Sequence, residues 1–268
     1  MIPPRLTPQD TALFERWSTV CLQWADGPTH AQRLTKAIGI TAQFIADHPD
    51  AYIACSGGKD SVALVDLVVA TIGQPQIPVM HTWDEFSFPD MIEYLTGLCQ
   101  MDRWRIGMDV VNVVGSQQIL QDRAAIGQAW ADDDYCSRSS VKSWFDCIAN
   151  YAKGRPVLLG LRAEESSGRQ KNRNLRGPVY QKADGQWVCC PIVDWHGIDV
   201  YAYLLMRRIP LHPVYHCVRL HERPDRVRLN GWLVGAHARK GAMIWLRAYY
   251  PSLHRRLVEI LPDARTLV

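Results

Sequence analysis

The sequence contains no C-x-x-C pair and no cysteine after Cys217. Most zinc sites and many iron–sulfur sites announce themselves by such spacing, so a bound metal cluster is not expected. No run approaches the roughly 18 apolar residues of a membrane span, which leaves no membrane partner to expect. Met1–Asp10 lacks the apolar segment of a secretory signal, and a cytoplasmic, reducing location is the expectation. The eight cysteines (21, 55, 99, 136, 147, 189, 190 and 217) are then buried hydrophobes, ligands or reactive thiols rather than disulfides. There is no internal repeat and no linker rich in Gly or Ser. Hydrophobic residues make up 47% of the chain, with 18 Gly and 16 Pro in 268 residues, which excludes disorder and collagen-like low complexity. The length suits one large domain, or one domain with an appendage, able to bury a full core.

The net charge of +3 hides an asymmetry. Residues 1–200 carry −5 and residues 201–268 carry +8, nearly all of the latter as arginine. A polyanionic partner, nucleic acid or phosphorylated ligand, explains such a tail; so does a solvated helical surface.

Apolar spacing predicts helices over 11–24 and 30–48. Ala51–Cys55 reads as a buried parallel strand, followed by a turn at Ser56–Ser61 and a helix from Val62 to Thr71. Further strands are expected at 77–81, within 104–113, at 156–159 and at 187–192. Further helices are expected from Pro89 to about Gln100, over 141–151 and over 197–208. The alternation predicts an α/β fold: a Rossmann-like parallel sheet of about five strands with helices on both faces. Three regions follow: an N-terminal helical segment (1–48), a nucleotide-binding domain (49–216) and a basic, helical, Arg-rich C-terminal appendage (217–268).

The most informative segment is Ser56-Gly57-Gly58-Lys59-Asp60-Ser61. Two glycines let the backbone approach a ligand closely. The turn opens a helix, whose free N–H groups and positive end favour an anion. Lys59 adds charge, and Ser56 and Ser61 add hydroxyls. The set suits phosphate, although the spacing is neither GxxxxGK[ST] nor GxGxxG.

This segment resembles the loop of the PP-loop ATP pyrophosphatases, the adenine nucleotide α-hydrolase-like group. Other segments are similar to its phosphoadenosine phosphosulfate (PAPS) reductase branch, which includes DNA phosphorothioation proteins and phage-borne relatives. They are His81-Thr82-Trp83-Asp84-Glu85 with Pro89, Gly160-Leu161-Arg162-Ala163-Glu164-Glu165-Ser166 with Arg169, Pro191–Trp195, Asp199–Tyr203 and His212–Tyr215. The resemblance spans about residues 50–216 and implies an adenylyl nucleotide, ATP, adenosine phosphosulfate (APS) or PAPS, held with Mg²⁺.

The resemblance implies nucleotide contacts from Ser56 to Ser61, His81, Trp83, Asp84, Gly160, Arg162, Glu164 and Glu165. Lys59, Arg162 and Arg169 are the candidate catalytic cations, since guanidinium groups grip phosphate or sulfate oxygens in pairs. Asp60 and Asp84 are candidate Mg²⁺ ligands, because Mg²⁺ takes one or two carboxylates plus substrate phosphates. Asp84 reads equally as a helix N-terminal acid, and Trp83 as an adenine platform or a core residue. Glu164 and Glu165 either hold arginines or carry metal. The run Arg169, Lys171, Arg173, Arg176 reads first as a solvated loop and second as a phosphate clamp.

The family's reductases use a nucleophilic cysteine near the C-terminus, or a paired Cys-Cys with a later C-x-x-C for an iron–sulfur cluster. This chain ends Leu261–Val268 without cysteine, has Tyr135-Cys136-Ser137 for the first pair, and reads Gly235–Arg239 at the second. The first expectation is therefore an enzyme that activates an acceptor with release of pyrophosphate or transfers a sulfur-related group. Nucleic acid is a candidate acceptor through the basic tail, with Trp232 and Trp245 among its arginines, and a homo-oligomer is possible. The alternatives are a PAPS or APS reductase with an internal cysteine such as Cys136 or Cys217, and a non-catalytic nucleotide sensor or nucleic-acid-binding module.

Overall fold

A computed structural model of the chain describes residues 4–83, 87–113, 138–220, 224–227 and 243–260, with 125, 229 and 265 singly; for 138–144 and 226 it describes the backbone alone. Asp84, Glu85, Cys136, Trp232, the 235–239 segment and most of 261–268 lie outside the described residues.

Two long helices open the chain, α1 (Pro8–Ala25) and α2 (Pro28–Asp47). Thr7 and Asp10 cap α1 reciprocally: the Asp10 N–H donates to Thr7 Oγ1 at 3.3 Å, and the Thr7 N–H to Asp10 Oδ2 at 2.9 Å. Strand β1 (Tyr52–Ala54) follows, then α3 (Lys59–Asp66), which runs on as one π-helical stretch, Leu67–Ile72, to Gly73. Next come β2 (Val79–Trp83), α4 (Met91–Cys99), β3 (Asp109–Asn112), α5 (Arg138–Ala152) and β4 (Val157–Leu159). The helix α6 (Ser167–Arg176), strands β5 (Val179–Gln181) and β6 (Trp187–Cys189), and helices α7 (Gly197–Met206), α8 (Met243–Tyr249) and α9 (Pro251–Ile260) complete the order.

The strands form one sheet in the order β3-β2-β1-β4-β6-β5. All pairs are parallel except β5–β6. Both faces are covered, as a parallel sheet requires. Ile53, Val79, Leu158 and Cys189 join a core with residues of α3 and α7. Their neighbours Tyr52, Met80, Val157 and Val188 join a second core with Ile148, Tyr151 and Ala152 of α5. Successive residues of a strand point to opposite faces, which is why these strands read as unbroken apolar runs. From β1 the chain moves one way to β2 and β3, then returns to place β4 on the other side of β1. The reversal opens a crevice at the carboxyl ends of β1 and β4.

The sheet has six strands rather than the expected five or so. The addition, β5, is three half-buried or exposed residues turned back onto β6 through Gly185 (φ 87°). The run at 169–176 is a helix, not the expected loop: the Ser166 hydroxyl accepts the Arg169 N–H at 3.2 Å, and Gly177 (φ 73°) ends it. The helix after the phosphate-type turn begins at Lys59, three residues earlier than expected. Pro89 stands in the turn before α4 rather than inside its first turn.

The N-terminal and C-terminal helices meet at Asp10. Its Oδ1 accepts from Tyr249 Oη (2.6 Å), Val218 N (3.1 Å) and Arg219 N (2.9 Å). Burial pushes this carboxyl up, and the hydrogen bonds from Tyr249 and Thr7 pull it below its ordinary value. Among the described residues, no helix is long and apolar enough to cross a membrane.

Candidate functional site

Residues 55–61 leave β1 at the crevice and wind directly into α3. Gly57 takes φ 78°, a conformation that glycine adopts without strain. Gly58 is extended and caps α3. Ser61 Oγ donates to the Gly58 carbonyl at 2.9 Å and lies 3.3 Å from Ser56 Oγ, so the two hydroxyls brace the turn. Ser56 is exposed. The Gly58 N–H donates to Ser56 Oγ at 3.3 Å, and the turn places the N-terminus of α3 at the mouth of the crevice.

Lys59 is buried, and Asp60 and Tyr215 are among the groups that hold it. Its ammonium donates to Asp60 Oδ2 at 3.0 Å and lies 5.4 Å from the centre of the Tyr215 ring. Its backbone N–H donates to Tyr215 Oη at 2.9 Å. Asp60 takes the guanidinium of Arg162 on its other oxygen. Burial pushes the Asp60 carboxyl up, but Lys59 and Arg162 outweigh it and hold it ionised below its ordinary value.

The β4 end comes very close to this turn. A Cβ on Gly160 would stand 2.7 Å from the Asp60 carbonyl oxygen and 2.8 Å from the Ser61 nitrogen, both backbone atoms. Only glycine lets the two loops abut so closely. Two residues on, Arg162 is 2% exposed, with its nitrogens directed at Asp60, Glu164 and Glu165. Burial pulls this guanidinium down, and Asp60 and Glu164 raise it by more. Glu165 also takes Arg169 from α6. Glu164 Oε1 accepts the Gly197 N–H at 2.6 Å, at the N-terminus of α7. The two glutamates therefore hold arginines, one of the two roles expected of them.

His81 lies on β2 one residue beyond the Ala54–Met80 pair, beside the exit of β1. Its Nδ1 is 2.8 Å from the Cys55 carbonyl oxygen, which can only accept, so Nδ1 carries the proton. Burial lowers the imidazole below its ordinary value and keeps it neutral, and Nε2 has no hydrogen-bond partner among the described residues. Trp83, at the end of the same strand, is half-buried.

The structure thus gathers Ser56–Ser61, His81, Trp83, Gly160, Arg162, Glu164, Glu165 and Arg169 at the carboxyl ends of β1, β2 and β4. Asp84 lies outside the described residues. The sequence reading missed Tyr215 as a site residue. Its signal was the His212–Tyr215 segment, but the contact to Lys59 spans 156 positions. His196, the residue before α7, has its Nδ1 3.7 Å from Glu164 Oε2.

Of the two cysteines named as alternatives, Cys136 lies outside the described residues and Cys217 does not present a thiolate. Cys217 is fully buried and its thiol is pushed well up by burial. Cys189 and Cys190 lie on opposite faces of the sheet, and burial pushes the Cys190 thiol to about 12. Among the described residues, no three His, Cys, Asp or Glu side chains are grouped to hold a metal. Asp60 is an ionised carboxylate beside the phosphate-type turn, but Lys59 takes one of its oxygens and Arg162 the other, so a Mg²⁺ ion held there would have to displace one of these cations.

A parallel sheet with a Gly-rich turn and a helix N-terminus at its switch point defines a class of α/β proteins built to face anionic ligands. Residues 50–219 match the phosphoadenosine phosphosulfate reductase domain, and the chain belongs to that family. It is 25% identical over 171 residues to a phosphoadenosine 5'-phosphosulfate reductase of Xanthomonas oryzae pv. oryzae, covering 62% of this chain and 66% of that protein. The chain thus spans just under two thirds of that relative. It is 22% identical over 215 residues to a sulfate adenylyltransferase subunit 2 of Alkalilimnicola ehrlichii, covering 71% of this chain and 68% of that one. The Candida glabrata FMN adenylyltransferase in complex with FAD and inorganic pyrophosphate shares the fold, with a TM-score of 0.51 at 12% identity over 77% of this chain and 69% of that one.

Proposed function

We propose that this protein is an adenylyl-nucleotide-processing enzyme that binds ATP at Ser56–Ser61 and activates an acceptor with release of pyrophosphate. The observation that carries the reading is the Ser56–Ser61 turn at the N-terminus of α3, in the crevice where β1 and β4 diverge. The N-terminus of α3 and the Lys59 ammonium would face the phosphates, and His81 and Trp83 would lie toward the base. Asp60, with Asp84, would hold Mg²⁺; when bound, the ion neutralises charge on the phosphates. Catalysis in such a site is mostly positioning and charge stabilisation. Arg162 has its nitrogens committed to three carboxylates, so its role is to hold Asp60, and through it Lys59, in place. Arg169 is the more exposed cation and would face the acceptor side. The burial of Cys217 weighs against thiol reduction of a sulfonucleotide through that residue.

Thermal unfolding with Mg²⁺ and ATP, APS or PAPS tests this. A ligand at 100 times its Kd adds about 2.7 kcal/mol, a shift of several degrees at this size. The reading expects ATP to stabilise the chain; stabilisation by the sulfonucleotides alone would return the reductase reading.

A further inference from the structure

We propose that His196 is the proton acceptor for the group adenylylated at this site, oriented by Glu164; the proposal rests on the adenylyl-transfer reading. An acceptor hydroxyl or amine must shed a proton when it attacks phosphorus, so the site needs a base at its rim. His196 is the one histidine classed as exposed among the described residues. A continuous chain of contacts joins it to the phosphate-type turn: Lys59 to Asp60, Asp60 to Arg162, Arg162 to Glu164, and Glu164 to His196.

Its orientation is set from two sides. Nδ1 faces Glu164 Oε2 at 3.7 Å, and Nε2 faces Arg33 Nη2 of α2 at 3.4 Å. A guanidinium only donates, so Nε2 is the acceptor and Nδ1 bears the proton toward the carboxylate. Arg33 is itself anchored by Asp199 Oδ2, which also accepts the His196 backbone N–H at 2.7 Å. A carboxylate behind one ring nitrogen, and on the other a lone pair that Arg33 occupies until the acceptor takes its place, lets an imidazole take a proton. Among the described residues, Glu164, Arg33 and Asp199 are the charged groups in contact with it, from the β4 loop, α2 and α7.

In the step proposed, the acceptor's oxygen or nitrogen bonds to the α-phosphorus of ATP. The bond from that phosphorus to the bridging oxygen breaks, and pyrophosphate leaves with the electron pair. The acceptor's proton passes to His196 Nε2, where it replaces the contact from Arg33.

Diethyl pyrocarbonate labelling with peptide mass spectrometry, on the full chain with and without Mg²⁺ and α,β-methylene ATP, tests the placement. His196 should label readily in the free chain and at least about tenfold more slowly with the analogue. Pyrophosphate release from Mg-ATP, with water as acceptor, tests the role. His196→Gln should fall by about a hundredfold, the scale of general-base catalysis, and lose the wild-type rise with pH; His196→Ala should be partly rescued by free imidazole. If the analogue raises Tm but leaves labelling unchanged, the proposal is overturned and the nucleotide site stands. If the site is protected yet His196→Gln releases pyrophosphate at the wild-type rate at every pH, it is likewise overturned. No rise in Tm, or no release by the wild-type chain, overturns the adenylyl-transfer reading and the proposal with it.

Discussion

Tyr215 Oη accepts the backbone N–H of Lys59, the first residue of α3, at 2.9 Å, and its ring lies under the ammonium of the same residue. One buried side chain therefore fixes both the helix start and the charge of the phosphate-type turn. Tyr215→Phe removes the acceptor and leaves the ring. A buried donor left unmatched costs about 1–3 kcal/mol. The variant should unfold at lower urea and bind Mg-ATP more weakly, while Tyr215→Ala, which also leaves a cavity, should lose about 3–5 kcal/mol. Urea titrations of both variants check the ordering.

Gly160→Ala should be more damaging than its size suggests. The added methyl meets backbone of Asp60 and Ser61, which cannot rotate away. Overpacking of this kind costs about 1–3 kcal/mol. At Gly57, an alanine would meet mainly the flexible side chain of Met91, and its penalty comes instead from φ 78°. The account predicts that Gly160→Ala loses nucleotide-induced stabilisation as well as intrinsic stability, both readable in one thermal-shift series.

Acid stability should depend on Asp199. Burial pushes its carboxyl up, but hydrogen bonds from His30, Trp24 and the His196 N–H, with the charge of Arg33, bring it down to about 2. A carboxyl lowered on folding stabilises above its unfolded value of 3.8 and loses that contribution as pH falls toward 2. The stake is about 2 kcal/mol. Asp199→Asn should flatten the stability slope between about pH 4 and 2; an unchanged slope in equilibrium unfolding would remove Asp199 as its source.

Cys190 and Cys217 should resist alkylation in the folded chain at neutral pH and react once it is unfolded, because the thiolate is the reactive form and burial suppresses it. Peptide mapping after iodoacetamide, with and without guanidinium, measures this directly.

The strand–turn–helix at 51–61 was legible because each residue type had a local reason: an apolar run, two glycines, a cation and hydroxyls. Gly160 and Arg162 were legible through their motif, yet the motif did not disclose that Arg162 is buried among carboxylates. Helix α6 was not legible, because it buries no residue and so carries no apolar stripe; only Ser166 and Gly177 mark its ends. Strand β5 is three residues long and too short for periodicity. Tyr215 and His196 depend on partners from distant elements, which folding alone brings together.

The central claim is that the Ser56–Ser61 turn binds an adenylyl nucleotide through Lys59. Titration calorimetry of Mg-ATP into the wild-type chain and into Lys59→Ala tests it most directly, with circular dichroism to show that the variant is folded; Arg162 remains to pair with Asp60 there. The account predicts saturable binding by the wild-type chain and a large loss of affinity in the variant. Equal affinity in the two, or no binding by the wild-type chain, would contradict it.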